Sequence, residues 1–230
     1  VEPIVSAPLA PAAIAPFVEG ADVIVTFPPD GATDARVAPA CERARAIVYV
    51  SSTGVYGATR GTIDDLTPPA PDGPRAEARL DAEAHWRSAG AIVLRAPALY
   101  GVESGLHVRL RAGGYRMPGD GSGVVSRIHT DDLAALLLAA LARGRARDTF
   151  VVGDLAPTAH AEVVAFVAAR LGLPLPVSAP LAEVSPTLRG SRAVDPSRAL
   201  REFGVTLRYP SYREGYEAVL AAEFAVASSL

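Results

Sequence analysis

Short, unbroken apolar runs separated by stretches of helical periodicity frame this chain. Residues 46–51, Ala46-Ile-Val-Tyr-Val-Ser51, show no alternation of polar and apolar positions, the pattern of a strand buried on both faces of a parallel sheet. Comparable runs at 3–6, 21–27, 91–94 and 149–152 predict further strands. Between them the spacing predicts helices over 32–45, 75–89, 130–143 and 158–171. Thr130 and Asp131 offer an N-cap for the third of these, and Gly172 a stop for the fourth. Strand–helix–strand order implies right-handed crossovers, and so an α/β chain built on a doubly wound parallel sheet. Farther on, 195–204 reads as a short capped helix and 212–224 as a final amphipathic helix, with the proline-rich stretch 174–186 crossing the surface between. No internal repeat or low-complexity linker interrupts the pattern.

Composition narrows the partners. With 230 residues, half of them apolar, the chain can bury one substantial core, with or without a small lobe. The net charge is -3 and the arginines are scattered, so no nucleic-acid footprint is present. Cys41 is alone, which excludes an intramolecular disulfide and fits a reducing cytoplasm. The longest apolar run, 133–142, is about half the length that spans a bilayer and reads as a buried helix. Val1-Glu-Pro-Ile-Val5 has no basic region and reads as a chain starting partway through a fold, not as a signal peptide. Abundant Ala, Arg, Gly and Pro with scarce Lys point to a GC-rich bacterial source.

Several motifs then fall in one order. Ala21-Asp-Val-Ile-Val-Thr-Phe-Pro-Pro29 is a strand and turn; Ser51-Ser-Thr-Gly-Val-Tyr-Gly57 closes the next strand; Leu94-Arg-Ala-Pro-Ala-Leu-Tyr-Gly101 closes a third. Arg127-Ile-His-Thr-Asp-Asp-Leu-Ala134 and Tyr209-Pro-Ser-Tyr-Arg-Glu-Gly-Tyr216 follow. Together they resemble the NAD-dependent epimerase/dehydratase group of the short-chain dehydrogenase/reductase superfamily, in its atypical subgroup that keeps the fold and loses the catalytic tyrosine. The resemblance covers nearly the whole chain. It implies a Rossmann-like core over 1–103 and 124–173, with a small substrate lobe formed by 104–123 and 174–230.

Two departures qualify it. A dinucleotide fold needs a strand, a glycine-rich turn and a helix whose N-terminus meets the pyrophosphate, and nothing before Ala21 supplies them. The glycines at 54, 57 and 61 lead into an extended run, and Gly119-Asp-Gly-Ser-Gly123 is expected to form a hairpin turn. If 3–6 is the third strand of the family's sheet, the first two are missing: either the natural chain is longer, or another segment fills the gap. The second departure is chemical. The family's Glu, four residues after its Lys, matches Glu83, which places Arg79 at the Lys position and Arg75 at the Tyr position. Arginine is no proton shuttle near neutral pH.

The resemblance implies catalytic roles for Ser52, Arg75 and Arg79, and cofactor contacts from Phe27, Pro28, Pro29, Ser51, Arg79 and Pro97. Against these stand plainer roles: Ser52 satisfying backbone groups at a strand end, and Arg75 and Arg79 as solvated residues pairing with Glu83. Tyr56 is expected to pack, His129 to pack beside the cleft while Asp131 and Asp132 cap a helix, and His85, His107 and His160 to stand isolated, without metal spacing. Trp86 is expected in the core, and Arg109, Arg111 and Arg116 are candidates to meet an anion. The implied activity is an NAD- or NADP-dependent oxidoreductase acting on a small or sugar-nucleotide substrate, although cofactor binding by this form is in doubt without the glycine turn. A non-catalytic binding or regulatory protein and an inactive truncated form are the alternatives. The helices at 32–45 and 75–89 are the candidate faces for a homodimer.

Overall fold

The computed structural model describes residues 9–30, 32–184 and 189–227. Four parallel strands form its centre, β1 (Asp22–Val25), β2 (Ala46–Ser52), β4 (Ile92–Ala96) and β9 (Thr149–Val151), in the order β1-β2-β4-β9. The two inner strands are those whose sequences are apolar on both faces, and successive residues go to opposite sides. Ile47, Tyr49 and Val93 face α1 (Pro11–Val18), α2 (Thr33–Val37) and α3 (Pro74–Ser88). Val48, Ile92 and Leu94 face α5 (Thr130–Arg143) and α7 (Ser197–Phe203). Each fully buried side chain of this size contributes about 1.5–3 kcal/mol. The expected strand at 3–6 lies outside the described residues, and β1 has no partner on its outer edge among them.

A third apolar cluster joins Tyr100, α4 (Leu106–Arg111), α6 (His160–Leu171) and α8 (Tyr212–Ala227). Short strands surround it. In a second sheet, β10 (Thr158–Ala159), β7 (Val124–Val125), β12 (Ser191–Val194) and β3 (Arg60–Ile63) are neighbours in that order. Two parallel pairs, β5 (Ala98–Tyr100) with β8 (Arg127–His129) and β6 (Met117–Pro118) with β11 (Ser178–Ala179), complete the set. Among the described residues no helix is long and apolar enough to cross a membrane.

Several expectations change in detail. The helix expected over 32–45 is only α2 followed by a 3-10 turn, Ala38–Cys41, because Pro39 has no N–H to continue an α-helix. The helix expected from 158 begins at His160, since Thr158 and Ala159 pair with β7. Gly119 and Gly121 do sit in turns at positive φ, but not in a hairpin: β6 pairs with β11, and β7 with β10 and β12. The cap of α5 is His129, whose Nδ1 accepts the Asp131 N–H at 3.1 Å. Asp132 instead is buried and accepts the N–H groups of Arg208 and Tyr209 at 2.7 and 2.9 Å. Gly172 and Gly204 end their helices in the left-handed conformation, as their sequences suggest.

Gly215 shows how closely the third cluster is packed. A Cβ there would collide with the Tyr100 hydroxyl and ring, which stacks on Tyr216 at 4.5 Å. Gly215→Ala is therefore expected to destabilise by about 1–3 kcal/mol, against the roughly 1 kcal/mol that helix propensity alone would return. Urea unfolding checks the sign, and Tyr100→Leu in the same chain should recover part of the loss.

Candidate functional site

Strand β4 is buried along its whole length, yet its fourth residue is Arg95. A guanidinium there must be paired. Its partner is Glu83 of α3, which is fully buried. Arg95 Nε donates to Glu83 Oε1 at 3.0 Å and Nη2 to Oε2 at 2.7 Å, a bidentate pair. Burial works to lower the Arg95 pKa, but the hydrogen bond and charge of Glu83 outweigh it and hold it above its ordinary value. Ser51 Oγ donates to Glu83 Oε1 at 2.5 Å, and Arg95 Nη1 donates to the Tyr56 hydroxyl at 2.9 Å. Four elements are tied together: β2, the 3-10 turn Thr53–Tyr56, α3 and β4.

This network sets the carboxyl ends of the strands, where ligands of open α/β sheets bind. Ser52 lies opposite Ala96 in the sheet, one residue from Pro97, and Ala98 lies opposite Arg127. Asp154, just past β9, donates its N–H to the Arg127 carbonyl at 2.7 Å. Ser52, half-buried, caps the 3-10 turn by accepting the Gly54 N–H at 3.0 Å. Ser51 faces inward, with its hydroxyl engaged by Glu83, so it meets the network and not the cleft. Arg79 is half-buried, and its Nη1 donates to the Tyr49 hydroxyl at 3.1 Å and the Val50 carbonyl at 3.4 Å. Neither Arg75, which is exposed, nor Arg79 pairs with Glu83. Pro28 is exposed and Pro29 half-buried. Phe27 meets Trp86 edge-on at 6.2 Å. Trp86 is a core residue, stacked on Tyr49 and donating from Nε1 to the buried Asp34 at 2.7 Å.

Other candidates sort themselves by contact. All three are exposed: Arg111 pairs with Glu223 at 2.7 Å and Arg116 with Glu183 at 2.9 Å, which leaves Arg109 without a carboxylate partner among the described residues. His129 packs on Tyr209 and Tyr100. His107 is buried against the Val102 carbonyl. Among the described residues no group of His, Cys, Asp and Glu could hold a metal ion. A groove of about 640 Å³ lies around Gly101, Glu103, His129, Asp131, Arg208 and Tyr209, and none of the expected cofactor residues lines it.

Two groups escaped sequence reasoning. His160 is not isolated but hydrogen-bonded to Arg127 and Tyr115. Asp154 is buried, neither carboxyl oxygen makes a hydrogen bond of good geometry, and burial pushes its pKa up to about 6 although the Arg127 charge pulls the other way. The only sequence signal for Asp154 was its place two residues after the strand expected at 149–152.

With this geometry in place, the molecule is an α/β protein with a polar site at the ends of a parallel sheet. Residues 30–153 match the NAD dependent epimerase/dehydratase family. A functionally unknown conserved protein from Silicibacter pomeroyi DSS is 31% identical, covering 88% of this chain and 78% of its own, with a TM-score of 0.76. The chain belongs to the NAD-dependent epimerase/dehydratase family. Two more distant structures share its fold. The dTDP-glucose 4,6-dehydratase of Bacillus anthracis, in complex with NAD, is 21% identical over 87% of this chain and 71% of that one (TM-score 0.70). The UDP-glucuronic acid 4-epimerase of Bacillus cereus, also with NAD, is 15% identical over 96% and 80% (TM-score 0.74). A search of the curated proteins finds no match.

Two outcomes follow for stability. Arg95→Leu leaves Glu83 charged and unpaired, and should cost about 3–5 kcal/mol, whereas adding Glu83→Leu should recover most of that. Equal urea midpoints for the single and double variants would show that the pair is not coupled. Asp154 behaves in the opposite sense. Its raised folded-state pKa favours the fold at low pH, and this contribution is lost as pH rises from the unfolded value near 3.8 through about 6. Asp154→Asn should therefore stabilise the protein at neutral pH, by roughly 1–3 kcal/mol, and do little near pH 4. Thermal melts of both proteins across this window test it.

Proposed function

We propose that this chain is an NAD(P)-dependent oxidoreductase of the epimerase/dehydratase kind, acting on a small or sugar-nucleotide substrate. The observation that carries this reading is the meeting of Ser52, Arg79 and Pro97 around the carboxyl ends of β2 and β4, held by the Glu83–Arg95 pair. Family membership and the NAD complexes of the two enzymes that share the fold support it.

The residues at the rim suit the nicotinamide half of NAD or NADP. Arg79 has donors beyond the Nη1 contacts and can bond a ribose hydroxyl. Pro97 fixes the turn beside Ser52, and the phenyl ring of Phe27 adds an apolar wall. The described residues include no strand, glycine turn and helix of the kind that cradles a pyrophosphate. When bound, the cofactor would supply hydride transfer; the protein supplies position. Ser52 keeps its hydroxyl proton for a substrate oxygen, since its own oxygen accepts from Gly54. Arg75 and Arg79 bind or orient and move no proton. Residues 1–103 and 124–173 form the cofactor core in this reading, and 104–123 with 174–230 the substrate lobe, whose helices α4 and α8 pack on Tyr100 and α6 of the core.

A second reading, a non-catalytic binding protein, is favoured by one observation: the family's tyrosine position holds the exposed Arg75, and Tyr56 is already engaged by Arg95. Calorimetric titration with NADH and then NADPH separates the cases. Saturable binding that weakens about tenfold or more in Arg79→Ala, the loss of one charged hydrogen bond, is the expected result. A folded chain that binds neither dinucleotide would overturn the cofactor reading. Binding without turnover on a panel of carbonyls and sugar nucleotides would decide for the binding protein.

A further inference from the structure

A second polar array lies one residue beyond Pro97, where Ala98 of β5 pairs with Arg127 of β8. Arg127 is 4% exposed, and Asp154 acts on it only through space. Its Nη1 donates to the Val125 carbonyl at 2.7 Å, and its Nη2 lies 2.9 Å from Nδ1 of His160. A guanidinium cannot accept a hydrogen bond and keeps its protons near neutral pH. Nδ1 of His160 must therefore be the acceptor, and a neutral imidazole then carries its proton on Nε2. That atom lies 2.5 Å from the Tyr115 hydroxyl oxygen. Nε2–H donates, the phenol oxygen accepts, and the phenol's own proton has to point elsewhere.

The protonation states agree with this order. Burial, with the charges of Arg127 and Arg109, holds His160 at about 4, so the ring is neutral. Burial pushes the Tyr115 hydroxyl upward, with Arg109 and Arg127 opposing, so it stays protonated near neutral pH. Each acceptor in the array has its donor, and the Tyr115 O–H is the end donor beyond Nε2 of His160, while Arg127 keeps further N–H groups at the buried end.

The geometry points to Tyr115 as a substrate-contacting donor, its hydroxyl proton directed by Arg127 through His160 toward an acceptor-only oxygen, a carbonyl or a carboxylate, of the bound molecule. This rests on the proposed function in that the molecule is the substrate of the strand-end site. It gives the chain a tyrosine hydroxyl in a part of the fold remote in sequence from Arg75. Arg127 and His160 are positioning residues in this arrangement, and Tyr115 alone touches the ligand.

Two measurements test it. Long-range proton–nitrogen NMR spectra of the ligand-free protein should show His160 as the Nε2–H tautomer from about pH 8 to about pH 5, and a mixture of tautomers in Arg127→Leu. A wild-type His160 protonated on Nδ1 overturns the proposal. The second measurement titrates the wild type and Tyr115→Phe with acetate, dihydroxyacetone and UDP-glucose, followed at His160, and with NADH by calorimetry. At least one of the three probes should bind about tenfold more weakly to Tyr115→Phe, acetate marking a carboxylate and dihydroxyacetone a carbonyl as the preferred group. NADH affinity should be the same in both proteins. If no probe binds in a Tyr115-dependent way, the proposal is wrong. If NADH binds to neither protein while a probe still depends on Tyr115, the cofactor reading fails and this one stands.

Discussion

A charged side chain in the middle of a strand buried on both faces constrains everything packed around it. Arg95 cannot turn to water from the centre of β4, so α3 must approach closely enough to bring Glu83 within bidentate reach. The same carboxylate takes the Ser51 hydroxyl, and the same guanidinium takes Tyr56. The end of β2, the turn that follows it and the helix that carries Arg79 are thereby fixed relative to one another. A well-packed apolar substitute would fill this space as stably. What it would lack is direction, because hydrogen bonds impose angles that apolar contacts do not.

Direction matters at the rim. Ser52 ends β2 and Pro97 directly follows the neighbouring β4, and Arg79 reaches the same ends from the helix above by bonding Tyr49 and Val50. Each is held by a group that does not itself face the cleft. Asp154 is the exception. It is buried without a well-made hydrogen bond beside an arginine it does not grip, at a cost to stability near neutral pH. Such a group breaks a rule obeyed elsewhere in the fold, and departures of this kind concentrate where ligands act.

The parts of this fold that were legible in the sequence are those in which local pattern and tertiary packing agree. Residues 46–51 read as a doubly buried strand and are one, because an inner strand of a parallel sheet needs apolar residues on both faces. Thr130–Arg143 is a helix at its expected bounds for the same reason. The failures have physical causes too. Pro39 cut a helix short without disturbing the apolar pattern around it, and the glycines at 119 and 121 turn the chain between two different sheets where a local signal suggested one hairpin. Glu83 was singled out by the family resemblance, and Arg79 placed from it, but the partner of Glu83 was not found, since Arg95 lies on a strand and no spacing along one helix reveals it.

His160 carries the same lesson further. Alone at the start of a helix, with no second histidine or cysteine near it, it has the features of an isolated packing residue. Its meaning comes from Arg127, thirty-three positions away, and Tyr115, forty-five away. An arginine has no acceptor and a tyrosine has both a donor and an acceptor, so the order of the three determines where the last proton goes. Reversing the ends of the array would leave an acceptor facing outward. Hydrogen-bond polarity, unlike apolar periodicity, is a property of the assembled set. A sequence lists the members of such a set without their order, and the fold supplies it.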